Sequence, residues 1–202
     1  DGENAELIKE VTEVEVKEAV FSMHPDKSPG PDVLNPDFFQ SFWNVVKHEV
    51  TEFCQQFMST GMLPDGVNKA IVCLIPKIKV PQTMADLRPI SLCNVLVRIL
   101  SKVMANRLKA SLKSVISDRQ SAFIEGRLLT DNAMVAFEIN HYIKRRTQGK
   151  CGIAALKIDI SKAYDRLEWA FVRNMMKRFG FHEIWIDRVM QFISSVSYSF
   201  LQ

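Results

Sequence analysis

Cysteine is scarce in this chain. The four present, Cys54, Cys73, Cys93 and Cys151, form no C-x-x-C pair and share no regular spacing. That argues against a zinc framework and predicts reduced thiols packed as small apolar groups. Long apolar runs are missing too. The longest, Ala70 to Ile75, falls far short of the roughly 20 residues that a membrane-spanning helix needs. The first residues are acidic and polar rather than basic and apolar, so no secretory signal is read there and an intracellular protein is expected. No internal repeat, low-complexity tract or linker divides the sequence. What remains is ordinary globular material: 202 residues with 47% apolar content, enough for one good core, shared by two lobes at most.

Charge of one sign is missing locally. The formal charge of +3 conceals eight acids against two lysines in residues 1–26, which leaves a net +9 on the remainder. From Leu87 to Ser117 there are six basic residues and no acid. At 100° per residue, Arg98, Lys102, Lys109 and Lys113 fall within about 60° of one another on a helix. A one-sided basic stripe serves an ordinary solvated face as well as a phosphate backbone. With no acid to balance it, Lys102, Lys109 and Lys113 become candidates for nucleic-acid contact.

Local signals place the elements. Thr12 and Glu15 form a T-x-x-E capping box that starts a helix running through Met23. The stretch HPDKSPGPDV, with its prolines and glycine, reads as a loop. Asn35 then caps a helix with Pro36 at its first position. Phe38, Phe39, Phe42, Val46, Val50, Phe53 and Phe57 give that helix a broad apolar stripe, and Gly61 and Pro64 end it. Strands are predicted at Ala70 to Pro76 and near Leu87 to Leu92. Helices follow at about Asn94–Ser114, Thr130–Arg146, Glu168–Phe179 (stopped by Gly180) and His182–Ser195, with a last strand at Val196–Leu201.

The stretch GIAALKIDISKAYDRLEW carries the chemistry. Ala154, Leu156, Ile158 and Ile160 alternate with Ile153, Ala155, Lys157 and Asp159, the period-two pattern of a half-buried strand. Ser161 caps a short helical turn holding Lys162, Tyr164 and Asp165. This sets a carboxylate at a strand tip, where a hard cation such as Mg²⁺ finds an oxygen ligand. By spacing alone, a turn former or cap is the more ordinary reading.

LKIDISKAYDRLEW closely resembles the first catalytic motif of reverse transcriptases from plant non-LTR (LINE-type) retrotransposons. DKSPGPD, LIPK, RPISLCNVL, SKVMANRL, QSAFIEGR and SVSYS occur in the order that family shows them, over about residues 10–201. The resemblance implies an α+β fold: right-hand polymerase fingers with an incomplete palm, mostly helical with a small antiparallel sheet. It divides the chain into a helical extension (1–66), fingers (67–150) and a partial palm with the first catalytic motif (151–202). The implied activity is RNA-directed DNA polymerisation, a two-metal nucleotidyl transfer onto a primer 3′-hydroxyl. Its partners are an RNA template, a DNA primer and a dNTP, with no membrane. An endonuclease domain is implied upstream and the rest of the palm and the thumb downstream, in a nuclear or cytoplasmic ribonucleoprotein.

Residue by residue, the resemblance makes Asp159 the catalytic carboxylate that binds both Mg²⁺ ions, with the Ile160 carbonyl on one of them. Tyr164 stands at the aromatic gate that selects deoxynucleotides, although a ring packing the turn is the plain alternative. Lys77 and Arg88 match the basic pair that grips the triphosphate, one as a point charge and one as a fork. Gln120, Phe123 and Arg127 match a motif near template and incoming nucleotide, and Gln120 and Arg127 are carried over as site residues. Asp165 and Glu168 read as structural or solvated.

The copy departs from the family pattern. Val33 stands where glycine is expected, and if positive φ is required there a β-branched residue costs about 1–3 kcal/mol. Glu125 replaces a usual proline, and Val97 a common aromatic. The family's adjacent aspartates, of the form FADD or YADD, do not occur in these 202 residues. Two metals about 3.5–4 Å apart are not held by one carboxylate, so this stretch alone is expected to be inactive. Two other readings compete. One is a non-catalytic nucleic-acid-binding remnant of a retroelement; the other is a metal-dependent nuclease built on Asp159, which leaves Tyr164 and the Lys77–Arg88 loop unexplained.

Overall fold

The computed structural model describes residues 2–124, 126–146, 152–160 and 162–200, with the side chain of Lys113 outside the described set. Among them are eight α-helices, two 3₁₀ turns and three strands. The chain divides into two compact units, Asp1–Leu108 with Arg173–Gln202, and Lys109–Val172.

In the first unit, α1 (Gly2–Ile8) precedes α2 (Glu13–Phe21). Thr12 caps α2 as expected: its side chain accepts from the Glu15 N–H, while the Glu15 carboxylate accepts from the Thr12 N–H at 3.0 Å. Asn35 caps α3 (Pro36–Ser41), accepting from Phe38 N at 3.0 Å. The single long helix read from the sequence pauses at Phe42 (φ −102°, ψ 20°) before α4 (Trp43–Thr60). The buried stripe runs Phe39, Trp43, Val50, Cys54 and Phe57, while Phe42, expected in the core, is half exposed. Gly61 closes α4 at φ 78°, a left-handed cap that a side chain resists. Arg188 clamps the same end, donating to Met58 O and Ser59 O.

Strands β1 (Lys69–Pro76) and β2 (Leu87–Cys93) pair antiparallel as predicted, and β3 (Ser197–Phe200) joins β1 in parallel, giving the order β2-β1-β3. The sheet is therefore mixed rather than purely antiparallel. Helix α5 (Val95–Val115) buries Val95, Val97, Ile99, Leu100 and Val103 in this unit. The other helices here are α7 (Trp169–Arg178), which the unit shares from Arg173 onward, and α8 (Glu183–Ser194). Gly180 takes φ 80° between α7 and α8, and the His182 side chain caps α8 by accepting from Ile184 N. Asn4 ties α1 to that junction, donating to Gly180 O and accepting from His182 N, both at 2.8 Å.

The loop of prolines after α2 is built onto the β2–α5 junction. Gly30 lies so close to Cys93 and Asn94 that an added Cβ would overlap their backbone. Asn94 accepts from Asp32 N (3.1 Å) and donates to Val67 O (3.0 Å). In this frame Val33 adopts φ 61° and stands 77% exposed. A β-branched residue in the left-handed region is strained by about 1–3 kcal/mol, from which glycine's extra unfolded-chain entropy, about 0.5–1 kcal/mol, must be subtracted. Val33→Gly is therefore expected to stabilise the chain by about 1 kcal/mol and raise its melting temperature by about 2–4 °C. A thermal melt that does not rise would contradict that assignment of strain.

The second unit holds the end of α5, a connector, α6 (Leu129–Arg145) and the 3₁₀ turn Tyr164–Arg166. No residue of α6 is buried, and Met134, Val135, Phe137 and Tyr142 are exposed along it. The strand expected at Gly152–Ile160 does not form: residues 152–160 have no regular structure and are exposed throughout. The reason is pairing. Alternation gives a strand its two faces, but a strand is stable only when neighbours take its backbone N–H and C=O groups, and among the described residues the sheet consists of β2, β1 and β3 alone. The expected Ser161 cap, the turn at Gln148 and Gly149, Cys151 and Glu125 lie outside the described residues.

Candidate functional site

The β1–β2 hairpin brings the two basic residues together. Ile75 pairs with Arg88 and Pro76 with Leu87, and the pairing continues one step, with Lys77 N donating to Asp86 O at 2.8 Å. Lys77 is two residues beyond Ile75, so alternation puts it on the face that carries Arg88. The tip between them is braced. The Asp86 carboxylate accepts from Thr83 N (2.9 Å), Gln82 N (3.1 Å) and the Thr83 hydroxyl, and these bonds hold its carboxyl below the usual range. Lys77 Nζ donates to Ala85 O at 2.8 Å. Both basic side chains remain exposed.

Gln120 and Arg127 also come together, in the second unit. The Arg127 guanidinium donates to Ser117 O, Gln120 O and Asp118 Oδ1, and Gln120 Nε2 donates to Ala122 O. The connector is thus stapled by Arg127, whose two terminal guanidinium nitrogens are engaged within the loop. Its neighbour Phe123 takes φ 66° and is exposed.

Asp159 stands exposed, with no hydrogen bond or ion pair among the described residues. Ile160 is exposed beside it, and Tyr164, 82% exposed, opens the 3₁₀ turn with its carbonyl accepting from Leu167 N. Lys162, between them, takes φ 53°. Asp159 and the Ile160 carbonyl are hard oxygen donors suited to Mg²⁺. Among the described residues, however, no group of three His, Cys, Asp or Glu side chains could hold a metal ion. The donor set is one ligand of a site, not a whole one. On the basic stripe, Lys102 is half-buried and Lys109 exposed. Arg98 is bound inward, donating to Ser28 O at 2.6 Å. Burial pushes the Cys54 thiol up to about 12, so it is no nucleophile.

One charged residue with a clear role escaped the sequence reading. Arg107, on α5, is buried and bonds Glu15 and the carbonyls of Leu7, Lys9 and Glu10. Its spacing carries a signal: nine residues after Arg98, at 100° per residue, Arg107 falls about 180° from the basic stripe, on the face of the buried Val103 and Met104, although its partners lie about a hundred residues earlier.

Residues 75–201 match the family described as reverse transcriptase (RNA-dependent DNA polymerase), a span that includes Lys77, Arg88, Asp159 and Tyr164. The chain is 29% identical over 171 residues to the transposon TX1 uncharacterized 149 kDa protein of Xenopus laevis, covering 85% of this chain and 13% of that protein. It is 29% identical over 179 residues to the retrovirus-related Pol polyprotein from type-2 retrotransposable element R2DM of Drosophila melanogaster, covering 89% and 16%. A Pol polyprotein from type-1 retrotransposable element R2 of Nasonia vitripennis is 24% identical over 177 residues, covering 88% and 16%. The chain thus spans under a fifth of the length of these relatives. With well over half of its residues inside the family match, the chain belongs to the reverse transcriptase family.

Proposed function

We infer that the chain is the fingers and first palm segment of the RNA-directed DNA polymerase of a non-LTR, LINE-type retrotransposon, of plant origin by the likeness of its LKIDISKAYDRLEW motif. The family match across residues 75–201 carries this reading. The one-faced Lys77–Arg88 pair on a braced hairpin supports it, since a triphosphate needs cations presented together. In this reading residues 1–66 lead into fingers spanning 67–150, and the palm begins at 151. Lys77 and Arg88 hold the triphosphate, and Asp159 with the Ile160 carbonyl contributes to the Mg²⁺ site. Bound metal supplies charge neutralisation and activation of the primer hydroxyl; its remaining ligands come from an A-D-D segment beyond these residues. Lys102, Lys109 and Lys113 lie along the template and primer. Gln120 and Arg127 shape the connector near the incoming nucleotide. The whole protein works inside the cell, in the nucleus or as a cytoplasmic ribonucleoprotein, with an endonuclease domain upstream.

Primer extension tests this. A protein extended beyond Gln202 through an A-D-D motif is expected to copy poly(rA) from oligo(dT) with Mg²⁺, and failure of every such form would favour a non-catalytic nucleic-acid-binding remnant. That second reading draws on the strained Val33. In the active form, Tyr164→Ala is expected to raise ribonucleotide incorporation relative to deoxynucleotide by about tenfold or more, since a lost steric clash of 1.4 kcal/mol is already a factor of ten. The exposed ring has no packing role to lose. Unchanged sugar selectivity would remove the gate.

A further inference from the structure

Between the C-terminal end of α2, the loop after it and the first turns of α5 lies an open cleft of about 470 Å³. Such a volume is within the ordinary range of small-ligand sites, about 300–1,000 Å³. Its lining includes Ser22, His24, Lys27, Arg98, Ser101 and Lys102, and no acidic residue lines it. Arg98, Ser101 and Lys102 stand at helical spacings of three and four, so α5 turns one face into it. The opposing wall comes from residues near a helix C-terminus, where carbonyls would repel an anion. Two of those carbonyls, Val20 O and Met23 O, are taken by Gln40 Nε2, both at 2.9 Å.

The cations are not spent on one another's partners. Arg98 uses one guanidinium nitrogen on Ser28 O, while its buried Nε has no hydrogen-bond partner. The nearest carboxylate to the histidine is Asp26, whose Oδ2 lies 3.9 Å from His24 Nδ1 and which is itself largely exposed. His24 Nδ1 accepts from Asp26 N, which leaves Nε2 as its donor. The Ser101 hydroxyl adds a neutral donor, whereas the Ser22 hydroxyl donates to Ala19 O at 2.9 Å. Three fixed positive charges, an imidazole and a hydroxyl around an acid-free hollow form a receptor for phosphate oxygens.

The geometry points to this cleft as a binding site for the phosphodiester backbone of a nucleic-acid strand, formed jointly by the loop after α2 and the start of α5. The assignment rests on the nucleic-acid substrate of the polymerase reading and adds His24, Lys27, Arg98 and Ser101 to it. A single backbone phosphate engages the cleft through the Lys27 and Lys102 ammonium groups, while Arg98 keeps the loop in place through Ser28.

The test uses the 202-residue chain and a short fluorescein-labelled single-stranded RNA, with anisotropy read over a range of salt concentrations. Lys27→Ala/Lys102→Ala is expected to weaken binding by about tenfold at low salt and to lower the slope of log affinity against log salt by about 0.7, the value for one lost phosphate contact on a single strand. Ser101→Glu, at an exposed position between Arg98 and Lys102, should do likewise without removing a lysine. Lys17→Ala/Lys47→Ala removes the same charge from α2 and α4 away from the cleft and should leave the slope unchanged. Equal losses in the two double variants, or an unchanged slope in the cleft variants, would overturn the site. Displacement of the RNA by a mononucleotide at matching concentration would assign the hollow to free nucleotides and overturn it as well. A chain with no salt-dependent RNA binding counts against both this site and the nucleic-acid reading, whereas binding that survives the cleft variants counts against the cleft alone.

Discussion

In a polymerase-active form of the protein, Asp159→Asn is expected to reduce primer extension by about 10³-fold or more while leaving the stability of the fold unchanged. The two halves of that expectation have one cause. Asparagine has the size and shape of aspartate but lacks its negative charge, so what is lost is attraction for a divalent cation, worth several kcal/mol at the transition state. Asp159 is exposed and makes no hydrogen bond or ion pair among the described residues, so the native fold forfeits no contact. Surface substitutions of that kind usually fall within about 0.5 kcal/mol. Primer extension under Mg²⁺ reads the first half and urea unfolding of the 202-residue chain the second. Undiminished extension removes Asp159 from the metal site, and a destabilised chain would show that the residue is structural. The bland alternative, a turn-forming aspartate, predicts the reverse pattern: activity affected only as far as stability is.

The contrast between Asp159 and the helices shows what a sequence can disclose. Helix ends were readable because their determinants lie within a turn of one another: Thr12 with Glu15, Asn35 with Phe38, Gly61 at φ 78° and Gly180 at φ 80°. The β1–β2 hairpin was readable because two apolar runs flank a polar loop, and the register then placed Lys77 and Arg88 on one face. The segment 152–160 was not, because alternation encodes the faces of a strand and says nothing of whether a neighbour is at hand to pair with it. Helix α1 was missed for a related reason. It is short and acidic, and what holds it is Asn4 reaching Gly180 and His182 at the far end of the chain. The stripe on α5 was read correctly in its periodicity but not in its division of labour. Arg98 turns inward to Ser28, Lys102 is half-buried and Lys109 stays in solvent, while Arg107, on the opposite face, is buried. Helical angle orders the side chains around an axis; the carbonyls that meet them are set by tertiary contact.

Arg107 carries the other large effect. Its side chain is 5% exposed and its guanidinium serves four groups: the Glu15 carboxylate, at 2.8 and 3.1 Å, and the carbonyls of Leu7, Lys9 and Glu10. Those carbonyls lie at the end of α1 and in the turn before α2, and Glu15 is the carboxylate that completes the α2 capping box. One residue therefore fixes the two N-terminal helices to α5. Arg107→Met keeps the volume and removes every donor, which leaves a partly buried carboxylate held by Thr12 alone and takes the guanidinium from three carbonyl acceptors. The expected loss is about 3–5 kcal/mol, a large share of the roughly 5–15 kcal/mol that holds a typical domain together. Adding Glu15→Leu should recover only part of it, because the carbonyls stay unsatisfied. The pH dependence supplies an independent check. Burial pushes the Glu15 carboxyl up, but the Arg107 hydrogen bond and charge, together with the Thr12 N–H and hydroxyl, outweigh it and bring the value from 4.5 down to about 2. A depressed carboxylate stabilises the fold fully above its unfolded value and loses that contribution as pH falls through the folded one. The gap between the native chain and Arg107→Met should accordingly be constant near neutrality and narrow between about pH 4.5 and pH 2. Urea unfolding across that range measures it, and a gap that is small at neutral pH, or that does not narrow in acid, would show that the Arg107–Glu15 pair does not hold these helices together.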